Sequence, residues 1–300
     1  MNESIKKGIF FALLTATISG FSIFYNKLVI SKGIDASIFN IIKNGGVAFI
    51  LSLLLLFSKR RKSVVTFSLK QWGWLVIIGI IGGGFPFILY FEGLKSVSAV
   101  NATLIHKSMF IWVTLLAIPL LGERLNIWQI IGFAAIAWSN LFIGGFNGFK
   151  ANLGEIMILA STIFWSMEFI VAKRALGGID SQIVAWGRMT LGLVILSGAV
   201  IFQNKLPLLF SLPANQLLPI LGSIILLTGY VLTWYKALQL APATVVTSIL
   251  IIATPITNLL SAAFITHNLS TIQLTNLIFT TFGIILILFF VHGHRRSYPL

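Results

Sequence analysis

The stretch SKGIDASIFNIIKNG (31–45) returns 145 residues later as LGGIDSQIVAWGRMT (176–190). Gly33-Ile34-Asp35 matches Gly178-Ile179-Asp180, and Lys43 falls on Arg188. A second pair, YFEGLKSVSAVNATLI (90–105) and WYKALQLAPATVVTSI (234–249), repeats at an offset of 144. One such match is ordinary chance. Several in register at a nearly constant offset mark an internal duplication.

What is duplicated is apolar sequence. The 300 residues are 57% hydrophobic and 9% charged, with a mean hydropathy of +0.99. Soluble domains carry about 25% charged residues, so a soluble globule is excluded. The net charge of +14 does not imply nucleic acid, because the basic residues punctuate apolar runs instead of lining one face. Cysteine is absent, which excludes disulfides, thiolate chemistry and cysteine-held metals.

About 20 apolar residues cross a bilayer as a helix, and only helices satisfy the backbone of runs this long. Ten spans result: 8–30, 36–57, 71–92, 97–119, 126–146, 152–173, 179–202, 215–236, 243–266 and 271–291. The fold class is an all-α membrane protein. The start, MNESIKKGIFFALLTATISGF, has the lysines and apolar run of a signal peptide, but no small-x-small cleavage site follows. It is expected to stay as the first span.

With the N-terminus inside, the cytoplasmic side receives Lys6, Lys7, Lys59, Arg60, Arg61, Lys62, Lys70, Arg124, Lys173, Arg174, Lys236, Arg295 and Arg296. The other side receives Lys27, Lys32, Lys95, Lys150 and Lys205. Thirteen against five places both termini in the cytoplasm of a bacterial inner (plasma) membrane protein. Five spans per half is an odd number, so residues 147–300 enter from the side opposite to 1–146. The two form one membrane domain of two inverted five-helix repeats. That architecture is characteristic of secondary transporters, with substrate near the midplane between the halves.

PLLGERLNIWQIIGFAAIAWSNLFIGG (119–145) has a Pro ending the fourth span, then Gly-Glu, then a Gly-rich fifth. ASTIFWSMEFIVAKR (160–174) carries a Trp-small motif in the sixth, and Arg188 lies in the seventh. In these features the chain resembles the EamA-type ten-helix transporters of the drug/metabolite transporter superfamily. The resemblance implies a central cavity lined by spans 1, 3, 4, 6, 8 and 9, and favours export. It departs in two places: the repeat partner of Glu123 is His267, and ISGF stands in the first span where Trp-Gly is usual.

Lysine at mid-membrane costs roughly 2.5–3.5 kcal/mol on the insertion scale. Lys27, Lys95 and Lys236 are near enough to span ends to snorkel, and Glu155 opens the sixth span. Lys43, Glu92, Lys107, Glu168 and Arg188 lie deeper. Glu168 and Arg188 fall at matching depth on successive spans, which makes them candidates for a structural pair; Glu92 is the nearest acid to Lys43. Lys107 has no acid at a clearly matching depth. It shares a face with Thr103, Phe110, Ile111 and Thr114, a stripe better suited to a cavity than to lipid, although a backbone carbonyl or Glu92 could also hold it. His106 points about 100° away from Lys107 on a helix and is a candidate proton carrier or a polar packing residue.

Phe87 and Tyr90, Trp165 and Glu168, and Tyr230 and Trp234 each share a helix face. Aromatics with a few polar groups make a small-molecule site, although Trp and Tyr near span ends also form interfacial belts. GIIGGGFPF (79–87) puts Gly82, Gly83, Gly84 and Pro86 into the third span, and Pro255 interrupts the ninth. Such interruptions mark close packing or mobile helices.

There is no HExxH, Walker loop or GxSxG, so neither an enzyme nor an ATP-driven pump is expected, and no metal or cofactor is called for. Three deep cations against two deep anions favour an anionic or zwitterionic small molecule, an amino acid or a relative, exported by alternating access. Glu92, His106 and Glu168 are the candidates for proton coupling. A lipid-linked or nucleotide-sugar translocator and a passive facilitator or channel are the alternatives. Oligomeric state is not encoded in any motif.

Overall fold

Each half starts its second helix with the same device. Asp35 accepts from the Ser37 and Ile38 amides at 2.9 and 3.2 Å, and Asp180 accepts from the Gln182 amide at 2.9 Å. Helix N-termini leave backbone donors unpaired, and an aspartate at the cap takes them. The fifth helix of each half is started by a capping box, Asn126 with Gln129 and, 144 residues on, Ser270 with Gln273. The duplication visible in the sequence therefore extends to its caps.

The computed structural model describes residues 3–97, 99–139 and 149–289. Every regular element among them is helical: α1 (Glu3–Ile30), α2 (Ala36–Leu56), α3 (Leu69–Ile78, a π-helical turn Gly79–Gly84, and Phe85–Leu94), α4 (Ala99–Lys107 and Met109–Leu121), α5 (Ile127–Trp138), α6 (Leu153–Ala175), α7 (Ser181–Phe202), α8 (Ala214–Leu240), α9 (Ala243–Leu250, Ala253–Ser261 and a π-helical turn Ala262–Thr266) and α10 (Thr271–Phe289). Among the described residues nine helical segments are long and apolar enough to cross a membrane. The described part of the expected fifth span is α5, 12 residues long; its remainder, the last two residues of the expected tenth span, and Arg295 and Arg296 lie outside the described residues.

The helices pack across the halves. α1 lies on α8 and α9, and α6 on α3 and α4; α2 lies on α7 and α8, and α7 on α2 and α3; α4 meets α9 and α5 meets α10. Exchanging the halves maps these pairs onto themselves. Repeat partners α2 and α7 run antiparallel, because Asp35 at the start of α2 touches Lys205 just past α7, while Asp180 at the start of α7 touches Arg60 just past α2.

These contacts sort the loops into two faces. Ser4 bonds Leu240, Lys173 bonds Leu238, Arg174 bonds Leu120 and Arg60 pairs with Asp180 on the N-terminal face. Asp35 with Lys205, and Glu92 with Gln203, lie on the opposite face. Phe10, Phe49, Val194 and Leu218 are more than 60% exposed along the helix sides, the surface a bilayer would cover.

Candidate functional site

The third helix decides the interior. In an α-helix the Gly82 carbonyl would accept from residue 86, but Pro86 has no N–H to give. Gly82 O instead accepts from Trp165 Nε1 of α6 at 3.0 Å and from Arg188 Nη2 of α7 at 3.1 Å. The π-helical turn and its glycines allow this approach: a Cβ on Gly82 would stand 2.3 Å from Glu168 Cγ, and one on Gly83 would stand 2.2 Å from the Arg188 carbonyl oxygen. The run GIIGGGFPF is thus a docking point for two side chains.

Glu168 and Arg188 flank Gly82, both buried. They form no direct ion pair; Glu168 Oε1 accepts from the Tyr235 hydroxyl at 2.6 Å, and Arg188 is held by the Gly82 carbonyl. Glu168 Oε2, Arg188 Nε, His106 Nδ1 and Trp234 Nε1 are buried with no hydrogen-bond partner among the described residues. Most buried polar atoms have partners, so a cluster of orphans of both signs is informative.

Aromatics enclose this region. Trp165 meets Phe87 at 5.1 Å, His106 at 4.9 Å and Tyr90 at 5.8 Å between ring centroids, and Tyr90 meets His106 at 5.3 Å. On the other side Trp234 stacks on Tyr230 at 6.1 Å and meets Phe169 at 4.5 Å. Trp234 is 1% exposed, so it belongs to the core and not to an interfacial belt.

Lys107 closes the first segment of α4, where the helix breaks at Ser108. Ser108 Oγ donates to the Ile105 carbonyl at 2.6 Å and accepts from Trp112 Nε1 at 3.1 Å. Its repeat counterpart, Ile252, lies at the break in α9 between Leu250 and Ala253, just before the buried Pro255. A helix C-terminus favours a cation, which eases the placement of Lys107. The side chain makes no ion pair or hydrogen bond with any described residue. Its neighbours reach α6: His106 meets Trp165 edge to face, and the Met109 carbonyl accepts from Ser166 at 3.4 Å.

Several sequence-designated residues lie elsewhere. Thr103 is exposed. Phe110 is buried and stacks on Phe133 at 6.1 Å, and Thr114 bonds its own helix at the Phe110 carbonyl. The Thr103–Lys107–Phe110–Thr114 stripe therefore does not face one cavity. Lys43 is buried over the Phe39 ring, 4.7 Å from its centroid, and does not meet Glu92. Glu92 pairs with Lys95 at 2.5 Å and accepts from Gln203 at 3.5 Å, because the last turn of α3 sits at the opposite face. There a small open pocket is lined by Ser37, Asn40, Phe87, Glu92, Leu196 and Gln203, among others. Glu155, assigned to a span end, is 1% exposed and accepts from Asn101 Nδ2 at 3.1 Å.

Two residues gain roles that sequence reasoning missed. Glu123 Oε1 accepts from the Ala243 amide at 2.6 Å, and Oε2 from the Thr244 amide and hydroxyl at 3.0 and 2.6 Å. Lys173 Nζ donates to the carbonyls of Leu238 and Ala241 at 2.5 and 2.7 Å. Together they cap both sides of the α8–α9 junction, an anion on the N-terminus and a cation on the C-terminus. The available signal was Pro242, a poor cap with no acid in the turn that follows.

A transporter from Bacillus subtilis (strain 168), "Uncharacterized transporter YoaV", is 24% identical over 158 residues, 51% of this chain and 53% of its own. An "Uncharacterized transporter" from Methanothermobacter thermautotrophicus is 26% identical over 92 residues, 29% of this chain and 27% of its own. The chain thus spans about half the length of the first relative and about a quarter of the second. A solved crystal structure matches the fold with a TM-score of 0.73 at 17% identity, covering 92% of this chain and 95% of the other. The EamA-like transporter family matches residues 6–145 and again 152–289, and with two such repeats the chain belongs to that family of membrane transporters.

Proposed function

We propose that the protein is a secondary transporter that moves a small zwitterionic or anionic metabolite, an amino acid or a relative, by alternating access. In this reading it has ten spans, with the halves dividing at 146/147 and both termini in the cytoplasm of a bacterial inner membrane. Export is the direction the family favours.

One observation carries the substrate class. Glu168 Oε2, an acceptor, and Arg188 Nε, a donor, are buried beside Gly82 without partners among the described residues. Glu92 is neutralised by Lys95 at the opposite face, so the deep charges are Lys43, Lys107 and Arg188 against Glu168. That cationic excess supports a carboxylate or phosphate on the substrate. Lys107 and Arg188 would receive the anionic group and Glu168 an ammonium; Trp165, Tyr90, Phe87, Tyr230 and Trp234 would enclose the apolar part. Glu168 and His106 are the groups best placed for any proton coupling, since Glu92 is tied at the surface.

The test is counterflow in proteoliposomes loaded with amino acids and related anions, beside matched cations. Saturable uptake of labelled compound driven by the unlabelled one supports the reading. Non-saturating flux with ion current would make the protein a channel, and flux only of lipid-attached compounds would make it a lipid-linked translocator.

A further inference from the structure

We infer that Glu123 is the lock that closes the N-terminal face during transport, and that the opposite face lacks its counterpart. The inference rests on alternating access as proposed above.

Glu123 follows α4 in the first half and binds the start of α9 in the second. α4 and α9 are the repeat partners that meet at the centre of the fold, both broken at the same repeat position. Any motion that opens the N-terminal face between the halves must separate the end of α4 from the start of α9. It must therefore strip the Glu123 carboxylate of three charge-assisted hydrogen bonds in a site where it is 8% exposed. Lys173, from α6, holds the carbonyl side of the same junction.

The two-fold symmetry predicts a second lock at position 267, where the end of α9 would hold the start of α4. The matching capping boxes share this offset in sequence, since Asn126 and Gln129 correspond to Ser270 and Gln273, although the left-handed residue that ends the helix is Gly122 in α4 and His267 in α9, where a π-helical turn adds one residue. Position 267 carries histidine. It is exposed, has a left-handed backbone with φ 48°, and makes no hydrogen bond with any described residue. A neutral imidazole has one acceptor nitrogen, so it cannot replace a carboxylate that takes three donors.

Burial follows the same asymmetry. Thr247, one turn beneath the Glu123 lock, is 4% exposed, whereas its repeat counterpart Thr103 is exposed. Locked and unlocked ends of one duplicated design thus differ where an accessibility probe can read them. The opposite face has its own contact across the halves, in the first turn of α4, where Glu155 accepts from the side-chain amide of Asn101; it is made from α6 and not from the end of α9.

The chain has no cysteine, so single-cysteine variants report directly. Thr247→Cys and Thr103→Cys are made separately in the full chain, reconstituted in nanodiscs where both faces are open, and labelled with a cationic, membrane-impermeant methanethiosulfonate. Thr103→Cys should react and Thr247→Cys should be protected. Adding Glu123→Gln leaves one acceptor oxygen for three donors, and a change of one charge-assisted bond should shift such an equilibrium about tenfold. Labelling at 247 should rise by about that factor and labelling at 103 should fall.

If 247 rises while 103 stays constant, the lock stands and alternating access fails. If neither moves, the lock is overturned and alternating access is untouched. If both rise together, Glu123 is a structural cap and the lock is overturned. Because Glu123→Gln also removes a buried acceptor, His267→Glu is read in parallel, since it breaks no bond made by a described residue. It should slow labelling at 103; unchanged or faster labelling there overturns the asymmetry.

Discussion

Lys205 Nζ lies 2.8 Å from Asp35 Oδ2, and the same pair recurs with its halves exchanged, since Arg60 Nε lies 3.0 Å from Asp180 Oδ1. Both members shift by 145 positions between the pairs. Each aspartate also caps the helix it precedes, so one carboxylate joins the start of a helix to the far end of its antiparallel repeat partner. One such junction stands at each face. All four side chains are a quarter to under half exposed, and exposed pairs contribute about 0–1 kcal/mol. Capping aspartates contribute about 1 kcal/mol more. Asp35→Ala should therefore lower the melting temperature more than Lys205→Ala, and Asp180→Ala more than Arg60→Ala. Equal losses within each pair would mean the caps add nothing.

The Asp35 carboxyl sets an acid limit. Burial raises its pKa, but the Lys205 hydrogen bond, the Ile38 and Ser37 amides and the Lys205 charge together hold it below the ordinary 3.8. A carboxyl depressed on folding contributes its full stability above the unfolded value and loses it as pH falls through the folded one. The melting difference between wild type and Asp35→Asn should thus be constant above about pH 5 and shrink as pH drops below 3.8. A difference that grows in acid would show that Lys205 does not govern this carboxyl.

The glycines of α3 should separate by what lies against them. Gly83→Ala drives a Cβ to 2.2 Å from the Arg188 carbonyl oxygen, a backbone atom that cannot turn aside, whereas Gly73 has nothing within 4 Å. Gly83→Ala should abolish folded, monodisperse protein. Gly73→Ala should gain about 0.5–1 kcal/mol, because glycine in a helix interior is costly. Pro86→Ala restores an N–H four residues after Gly82 and would compete with Trp165 and Arg188 for its carbonyl. Transport should slow while stability holds, as seen by flux and melting on one preparation.

Tyr235 is the donor to Glu168. Tyr235→Phe leaves a buried carboxylate without it, at a cost of about 1–3 kcal/mol. Glu168→Gln should be milder, because its amide oxygen still accepts from the tyrosine. Melting curves in the reverse order would mean that the hydroxyl is not satisfying the carboxylate.

Periodicity and offset were enough to find the repeat, nine of the expected spans and the aromatic pairs, because bilayer burial and helical spacing act on the chain locally. Gly82 to Pro86 read only as close packing or a mobile helix, not as a carbonyl in need of a new donor. Which donors arrived depended on α6 and α7 packing against α3, a relation between distant segments that no local pattern carries. The stripe through Thr103 and Phe110 failed for a related reason: the break at Ser108 interrupts the regular spacing from which a common face was inferred. Glu123 and Lys173 read as a signature acid and a loop-side anchor, since nothing near them in sequence announces the helix ends they cap.

Lys107 should separate stability from binding. Its ammonium has no partner among the described residues, and lysine at mid-membrane costs roughly 2.5–3.5 kcal/mol on the insertion scale. Lys107→Ala should therefore leave the ligand-free melting temperature unchanged or higher. A ligand that binds only the folded state stabilises it by about 2.7 kcal/mol at a hundred times its Kd, so a carboxylate-bearing substrate should raise the melting point of wild type and not of the variant. A structural lysine gives the opposite signature, with a destabilised variant that still responds to the compound. If a simple cation stabilises both proteins equally, the substrate is anchored by Glu168 and Lys107 only tunes the field around it.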